Sequence, residues 1–92
     1  MALAKRFVYV LRGQSAPHRY YTGVTSDVDA RLADHNACRC RHTADGRPWQ
    51  MDVVIELSDE QRALTFERYL KSGSGVAFAK RYLRTPRRAS NP

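Results

Sequence analysis

One carboxylate lies where the sequence pattern places apolar side chains. Ala63, Phe66 and Leu70 mark one face of a predicted helix, and a projection of about 100° per residue places Glu67 within this apolar stripe. Burial of an ionised carboxylate is unfavourable unless the charge is paired or binds a metal. Glu67 therefore either forms a common helix ion pair with Lys71, four residues later, or serves as a metal-binding carboxylate.

Two tyrosines, an arginine and a histidine supply further groups capable of phosphate binding or proton transfer. Tyr9 and Tyr21 lie in strand-like segments, and Arg31 and His35 lie four residues apart in a predicted helix. A guanidinium can donate two hydrogen bonds to phosphate oxygens, and an imidazole changes charge near neutral pH. Each residue also has a structural explanation: packing tyrosines, a surface arginine, and a capping or core histidine.

Three strands are predicted from β-branched and aromatic runs. They cover residues 6–11, 18–25 and 51–57, and the short connection between the first two favours an antiparallel hairpin. That hairpin is expected to bring Tyr9 and Tyr21 near one another.

The first predicted helix carries the Arg-His pair. Ser26 is its expected N-cap, and the helix runs to about Asn36. Arg31 and His35 fall beside its apolar row, so both are expected at the rim of the core.

Two further helices complete the chain. Ser58 and Gln61 form a capping-box pattern, and the second helix continues to Ser72, where Gly73 is the expected stop. A short basic helix then covers residues 76–83. The order β-β-α-β-α-α indicates an α+β fold.

Size and composition limit the domain organisation. Ninety-two residues with 42% apolar content suffice for one modest core, so a single domain is expected over residues 1–83. Residues 84–92 hold two prolines and three arginines but little apolar mass, which predicts a basic, flexible tail. The longest apolar run falls far short of the roughly 20 residues that span a bilayer, so no membrane association is expected. We expect a monomer.

The cysteine pair favours a reducing compartment. Cys38 and Cys40 are one residue apart, too close for an ordinary disulfide, and no secretory signal precedes the domain, so the chain is predicted to be cytoplasmic. With His35 and His42 the cysteines invite a zinc site, but the gaps between the four residues do not match the usual paired-ligand spacings.

The charge balance favours a polyanionic partner. Lys and Arg number 16 against 9 Asp and Glu, which gives a formal charge of +7 and a pI near 10.0. Nucleic acid is the leading partner, and much of the expected contact surface is an irregular basic loop over residues 37–48. The candidate nucleic-acid contacts are Arg31, Arg39, Arg41, His42, Arg47 and Lys71.

The order of these groups resembles one enzyme family. Val8-Tyr9-Val10 and Tyr21-Thr22-Gly23 match the two signature tripeptides of the GIY-YIG nucleases, with Arg31 and His35 on the next helix and Glu67 on a later one. The chain is most similar to the small single-domain bacterial members. The resemblance implies a small three-stranded antiparallel sheet flanked by helices.

The same resemblance implies a metal-dependent endonuclease that hydrolyses DNA phosphodiester bonds, at structured, branched, single-stranded or damaged DNA in repair or recombination. Glu67 would bind Mg²⁺ or Mn²⁺ and Arg31 the scissile phosphate. Tyr9 would be the general base, although a free phenol has a pKa of about 10, so nearby cations must lower it. Tyr21 would position water or phosphate, or exchange roles with Tyr9, and His35 would relay the proton or hold phosphate.

Two other functions remain open. A module with this fold and positive surface could bind nucleic acid without cleaving it. A protein-interaction domain could use the same charge for solubility or for an acidic partner.

Overall fold

A three-stranded sheet with helices on both faces forms the fold. The computed structural model describes residues 4–14, 19–37 and 46–84. β1 is the central strand in the order β2-β1-β3, and both pairings are antiparallel. This confirms the predicted α+β fold, and no helix in the described ranges is long and apolar enough to cross a membrane. The elements are β1 (Arg6–Gly13), β2 (Tyr20–Thr25), α1 (Val28–Asn36), β3 (Trp49–Leu57), α2 (Glu60–Leu70) and α3 (Gly73–Tyr82).

Alternation along β1 divides the core between the two faces of the sheet. One face packs against α2 and α3, through a buried cluster of Val8, Ala63, Leu70 and Ala79. The other face packs against α1, through a cluster of Tyr9, Leu11 and Trp49. The two signature tyrosines belong to the α1 face, because Tyr21 packs against the second cluster.

Carboxylates cap the first two helices. Asp27 and Asp59 each accept a hydrogen bond from the backbone N–H three residues later, at 3.1 and 2.8 Å. The predicted caps, Ser26 and Ser58, are therefore wrong by one residue. Ser and Asp are both good N-caps, so neighbouring candidates cannot be separated by type alone.

The junction between α2 and α3 is tighter than predicted. α2 ends at Leu70, and Gly73 begins α3 instead of stopping α2. The Ser72 hydroxyl caps α3 by accepting a hydrogen bond from the Gly75 N–H at 3.2 Å. Gly75 is buried, and a Cβ there would collide with the Tyr69 carbonyl oxygen. The close approach of the two helices therefore requires Gly75 and places no such demand on Gly73.

An asparagine ties the end of α1 to the start of β3. Asn36 Oδ1 accepts a hydrogen bond from the Trp49 N–H at 2.6 Å, and its Nδ2 donates to the Trp49 carbonyl at 3.0 Å. These bonds engage both backbone groups of Trp49, which also pairs with Gly13 of β1. β3 accordingly begins two residues before the predicted Met51.

Candidate active site

A buried tyrosine–histidine pair lies at the centre of the α1 face. Tyr9 Oη and His35 Nε2 are 3.0 Å apart, and the two residues are 1% and 0% exposed. The expectation that His35 lies at the rim of the core is wrong. His35 is one helical turn beyond Leu32, which packs against the Tyr9 cluster, so the same helix face directs the imidazole inward.

The surroundings of His35 favour its neutral form by lowering its pKa. Burial lowers its pKa below the ordinary value of 6.5, the positive charge of Arg31 lowers it further, and Asp34 partly opposes both effects. A neutral imidazole protonated on Nδ1 presents Nε2 as an acceptor, to which the Tyr9 hydroxyl can donate. In that tautomer the 3.0 Å contact is a hydrogen bond from the Tyr9 hydroxyl to His35 Nε2.

Tyr21 completes an aromatic group around this hydrogen bond. Its ring centroid lies 6.3 Å from that of Tyr9 and 4.9 Å from that of His35. Tyr9 pairs with Gly23 across the hairpin, so Tyr21 is its diagonal neighbour on the same sheet face. The predicted proximity of the two tyrosines is confirmed, and Tyr21 is the more exposed of the two.

Gly23 provides the space for the Tyr9 side chain. A Cβ at this position would lie 2.5 Å from Tyr9 Oη and 2.7 Å from its Cζ. The tyrosine opposite residue 23 therefore imposes a steric requirement for glycine there. No side chain fits at residue 23 while Tyr9 keeps its position.

The carboxylate on α2 lies beside a lysine that reaches the tyrosines. Glu67 Oε2 is in direct contact with Lys71 Nζ, and their side chains are 20% and 51% exposed. Lys71 Nζ also lies 5.7 Å from the Tyr21 ring centroid. The helix ion pair considered from the sequence is therefore present, and it connects Glu67 to the aromatic group.

Glu67 provides a single protein carboxylate for a metal. Within the described residues no three His, Cys, Asp or Glu side chains come together as a metal-binding group. Mg²⁺ keeps several waters and takes few protein ligands, so one accessible carboxylate together with a substrate phosphate suits it. The Glu67 carboxylate therefore fits a hard cation bound largely through water and phosphate oxygens.

The predicted basic contacts are only partly within the described residues. Arg31 is 35% exposed in its side chain and lies 3.5 Å from Asp34 Oδ2, on the helix that carries His35. Arg47 is exposed at the start of the segment leading to β3. Arg39, Arg41 and His42, with Cys38 and Cys40 of the zinc alternative, lie outside the described residues.

Asn36 was not anticipated as a positioning residue. It adjoins His35, and its two hydrogen bonds to Trp49 hold the last turn of α1 against the sheet. No local pattern connects an asparagine to a tryptophan 13 residues away, so this contact appears only in the fold.

Relatives of the chain place it in a known family. Residues 5–80 match the GIY-YIG catalytic domain, so the chain belongs to the GIY-YIG family, as its motifs predicted. It is 40% identical over 63 residues to the structure-specific endonuclease subunit SLX1 of Malassezia globosa, a match that covers 64% of this chain and 14% of SLX1. It is 32% identical over 73 residues to the UPF0213 protein SH2523 of Staphylococcus haemolyticus, with 78% and 87% of the two chains covered. No solved structure gives a significant match.

Proposed function

We propose that this protein is a divalent-metal-dependent endonuclease that hydrolyses DNA phosphodiester bonds, with structured or damaged DNA in repair or recombination as its substrate. The observation that supports this best is the buried 3.0 Å contact between Tyr9 Oη and His35 Nε2, beside Tyr21, in a member of a nuclease family. SLX1 is a structure-specific endonuclease subunit, and the present chain spans 14% of its length.

The Tyr9–His35 pair acts as the proton acceptor. A phenol is a poor base until its own proton leaves, and the neutral imidazole at 3.0 Å can take that proton as Tyr9 accepts one from the attacking water. Burial and the charge of Arg31 lower the pKa of His35, so the imidazole is able to accept a proton at neutral pH. Tyr21, the more exposed tyrosine, positions the water or the phosphate.

Arg31 binds the scissile phosphate. Its contact with Asp34 is a partly exposed pair at 3.5 Å, and such pairs contribute little stability, so a phosphate can replace the carboxylate with small loss. The guanidinium then donates two hydrogen bonds to phosphate oxygens as negative charge develops on them.

Glu67 holds the cation, Mg²⁺ or Mn²⁺. A divalent ion held there would supply charge neutralisation of the phosphate and activation of water. Lys71 contacts the Glu67 carboxylate, from which the cation displaces it, and adds positive potential beside Tyr21.

A nucleic-acid-binding module without turnover is the second candidate. One observation favours it: the proposed base, Tyr9, is only 1% exposed. Catalysis therefore requires that substrate binding open a path to the Tyr9 hydroxyl, whereas simple binding does not.

Cleavage assays separate the two functions. Supercoiled, single-stranded and branched DNA are incubated with Mg²⁺, Mn²⁺ or EDTA, and the wild type is compared with Glu67→Gln and Tyr9→Phe. Glu56→Gln is the matched control, because Glu56 is also paired with a lysine but lies on β3 with its side chain 56% exposed. We expect each site variant to lose about 100-fold or more in rate and the control to retain its rate. Nicking that survives in both site variants would remove this assignment, and salt-sensitive binding without cleavage would establish the binding module.

A further inference from the structure

The positive charge of the chain is concentrated in its C-terminal quarter. Residues 1–67 contain nine Lys and Arg and nine Asp and Glu, so their formal charges cancel. Residues 68–92 contain seven Lys and Arg and no acidic residue, so the entire excess of +7 lies after Glu67. The positive excess therefore belongs to the segment that holds the end of α2, α3 and the residues after it.

Exposed cations follow the end of α3. Lys80 and Arg81 lie in its last turn and are exposed. Arg84 follows the helix, and its guanidinium lies 4.4 Å from the ring centroid of Tyr20 at the start of β2. We call Lys80 and Arg81, with the half-buried Arg84 after them, the basic edge of α3.

A row of aromatic rings runs from α2 to α3 alongside this basic edge. Successive ring centroids are 6.5, 6.1 and 5.1 Å apart from Phe66 to Tyr69, Phe78 and Tyr82. Phe66 and Phe78 pack against the core cluster under α2 and α3, whereas Tyr69 and Tyr82 are 41% and 64% exposed. Two rings of the row, Phe66 and Phe78, are therefore packed against the core, and the other two, Tyr69 and Tyr82, are open to solvent.

One end of the row borders an apolar groove. The groove has a volume of about 480 Å³ and is lined in part by Leu57, Phe66 and Tyr69, with Arg62 beside them. Tyr69 belongs to both the groove and the row. The opposite end has a cation at the ring, because the Arg81 guanidinium lies 5.9 Å from the Tyr82 ring centroid.

We propose that this surface, the aromatic row of Phe66, Tyr69, Phe78 and Tyr82 with its basic edge, binds single-stranded nucleic acid. Bases stack on the exposed tyrosines, and phosphates contact the cations at the end of α3. Exposed aromatic rings interleaved with cations are the elements of sequence-tolerant binding to single strands. The row packs on the sheet face opposite the Tyr9–His35 pair, so it is a separate surface from that pair.

Charge argues against a second copy of the chain on this surface, and base stacking argues against a duplex. Two copies of this chain that meet through α3 would bring Lys80 and Arg81 of one copy near those of the other. An ordinary duplex keeps its bases stacked within the helix and offers none to Tyr82. A single strand satisfies both the rings and the cations.

Fluorescence anisotropy in EDTA tests the proposal independently of cleavage. The probes are a labelled oligo(dT) and an abasic strand of equal length, which has the phosphates but no bases. We expect Tyr82→Ala to weaken oligo(dT) binding by about tenfold, and Tyr82→Phe, which keeps the ring, to bind nearly as the wild type does. Neither variant is expected to change abasic-strand binding. Arg81→Gln is expected to reduce the salt dependence of binding for both strands, by about 0.7 in the log–log slope.

Several results would overturn the proposal. Equal oligo(dT) affinity in the wild type and Tyr82→Ala removes the stacking surface, and tighter binding of a duplex than of oligo(dT) removes the single-strand preference. Self-association that disappears in Tyr82→Ala, with unchanged oligo(dT) affinity, assigns the row to a second copy of the chain. Tyr69→Ala repeats the test at the other exposed ring. Circular dichroism of each variant confirms that it is folded.

Discussion

Gly23→Ala is the most direct perturbation of the Tyr9–His35 pair that leaves both residues in place. The new Cβ would lie 2.5 Å from Tyr9 Oη and 2.7 Å from its Cζ, closer than carbon atoms in proteins approach such groups. The tyrosine ring must therefore move away from β2. Because its hydroxyl lies 3.0 Å from His35 Nε2, that movement also breaks the buried hydrogen bond.

Two contributions set the size of the effect. Overpacking of a buried site lowers stability by about 1–3 kcal/mol. Loss of the hydrogen bond leaves polar atoms buried on both partners and lowers it by about 1–3 kcal/mol more. We expect the free energy of unfolding to fall by about 2–6 kcal/mol, which lowers the Tm of a domain this size by at least about 8 °C.

Urea and thermal unfolding, followed by circular dichroism, measure this change. Gly73→Ala is the matched control, because no heavy atom lies within 4 Å of a Cβ built at that position, and its stability should stay within about 1 kcal/mol of the wild type. In a Tyr9→Phe background Gly23→Ala should be less destabilising by about 1 kcal/mol, since the hydroxyl and its hydrogen bond are already absent. Equal unfolding free energies for the wild type and Gly23→Ala would refute the placement of Tyr9 over Gly23.

Three further predictions concern the groups around the pair. Burial lowers the pKa of His35 in the folded state below its ordinary value of 6.5, so stability is present above that value and is lost as the pH falls through it toward the folded pKa. Urea titrations between pH 7.5 and 4.5 (about the range in which an imidazole titrates) should show this loss in the wild type and a smaller one in His35→Gln; equal slopes would contradict it. Asn36→Ala removes both hydrogen bonds to Trp49 and should lower the free energy of unfolding by about 1–3 kcal/mol. An Asn36→Ala protein as stable as the wild type would show that the contact is dispensable. Lys71→Gln should change stability by less than about 1 kcal/mol and strengthen Mn²⁺ binding measured by electron paramagnetic resonance, because the ammonium no longer competes for the Glu67 carboxylate. Unchanged Mn²⁺ affinity would show that Glu67 is not a metal ligand.

Periodicity and residue type were sufficient to predict much of the fold. Alternating β-branched and aromatic residues located the hairpin, so Tyr9 and Tyr21 were expected to be neighbours, and their ring centroids are 6.3 Å apart. Helical spacing placed Glu67 in an apolar stripe, and its side chain is 20% exposed. These predictions succeeded because each depends on the period of a single element or on one short turn.

The wrong predictions concern positions where two local sequence signals conflict, or where a contact between distant parts of the chain determines the structure. Gly73 was predicted to stop α2, because glycine is a common helix C-terminal residue, yet the Ser72 cap makes it the first residue of α3. His35 was placed at the rim because the sequence does not show how deeply α1 packs against Tyr9. Asn36 escaped notice since its partner, Trp49, is brought to it only by the completed sheet.

The charge distribution could have been recognised from the sequence alone. No acidic residue follows Glu67 in the sequence. The overall charge excess alone had instead favoured the loop over residues 37–48 as the nucleic-acid contact surface. The aromatic row could not be predicted from the sequence, because Tyr69 and Phe78 lie on different helices. Their ring centroids are 6.1 Å apart only because Gly75 allows α2 and α3 to approach closely.

The central claim is that Tyr9 and His35 act as one proton-accepting unit in phosphodiester cleavage. Single-turnover cleavage of branched DNA in Mn²⁺ tests it, with the wild type, Tyr9→Phe, His35→Gln and the double variant. If the residues act together, the double variant is no slower than the slower single variant, because either change already disables the pair. Rate losses that multiply in the double variant, or single variants that cleave as fast as the wild type, would contradict the claim.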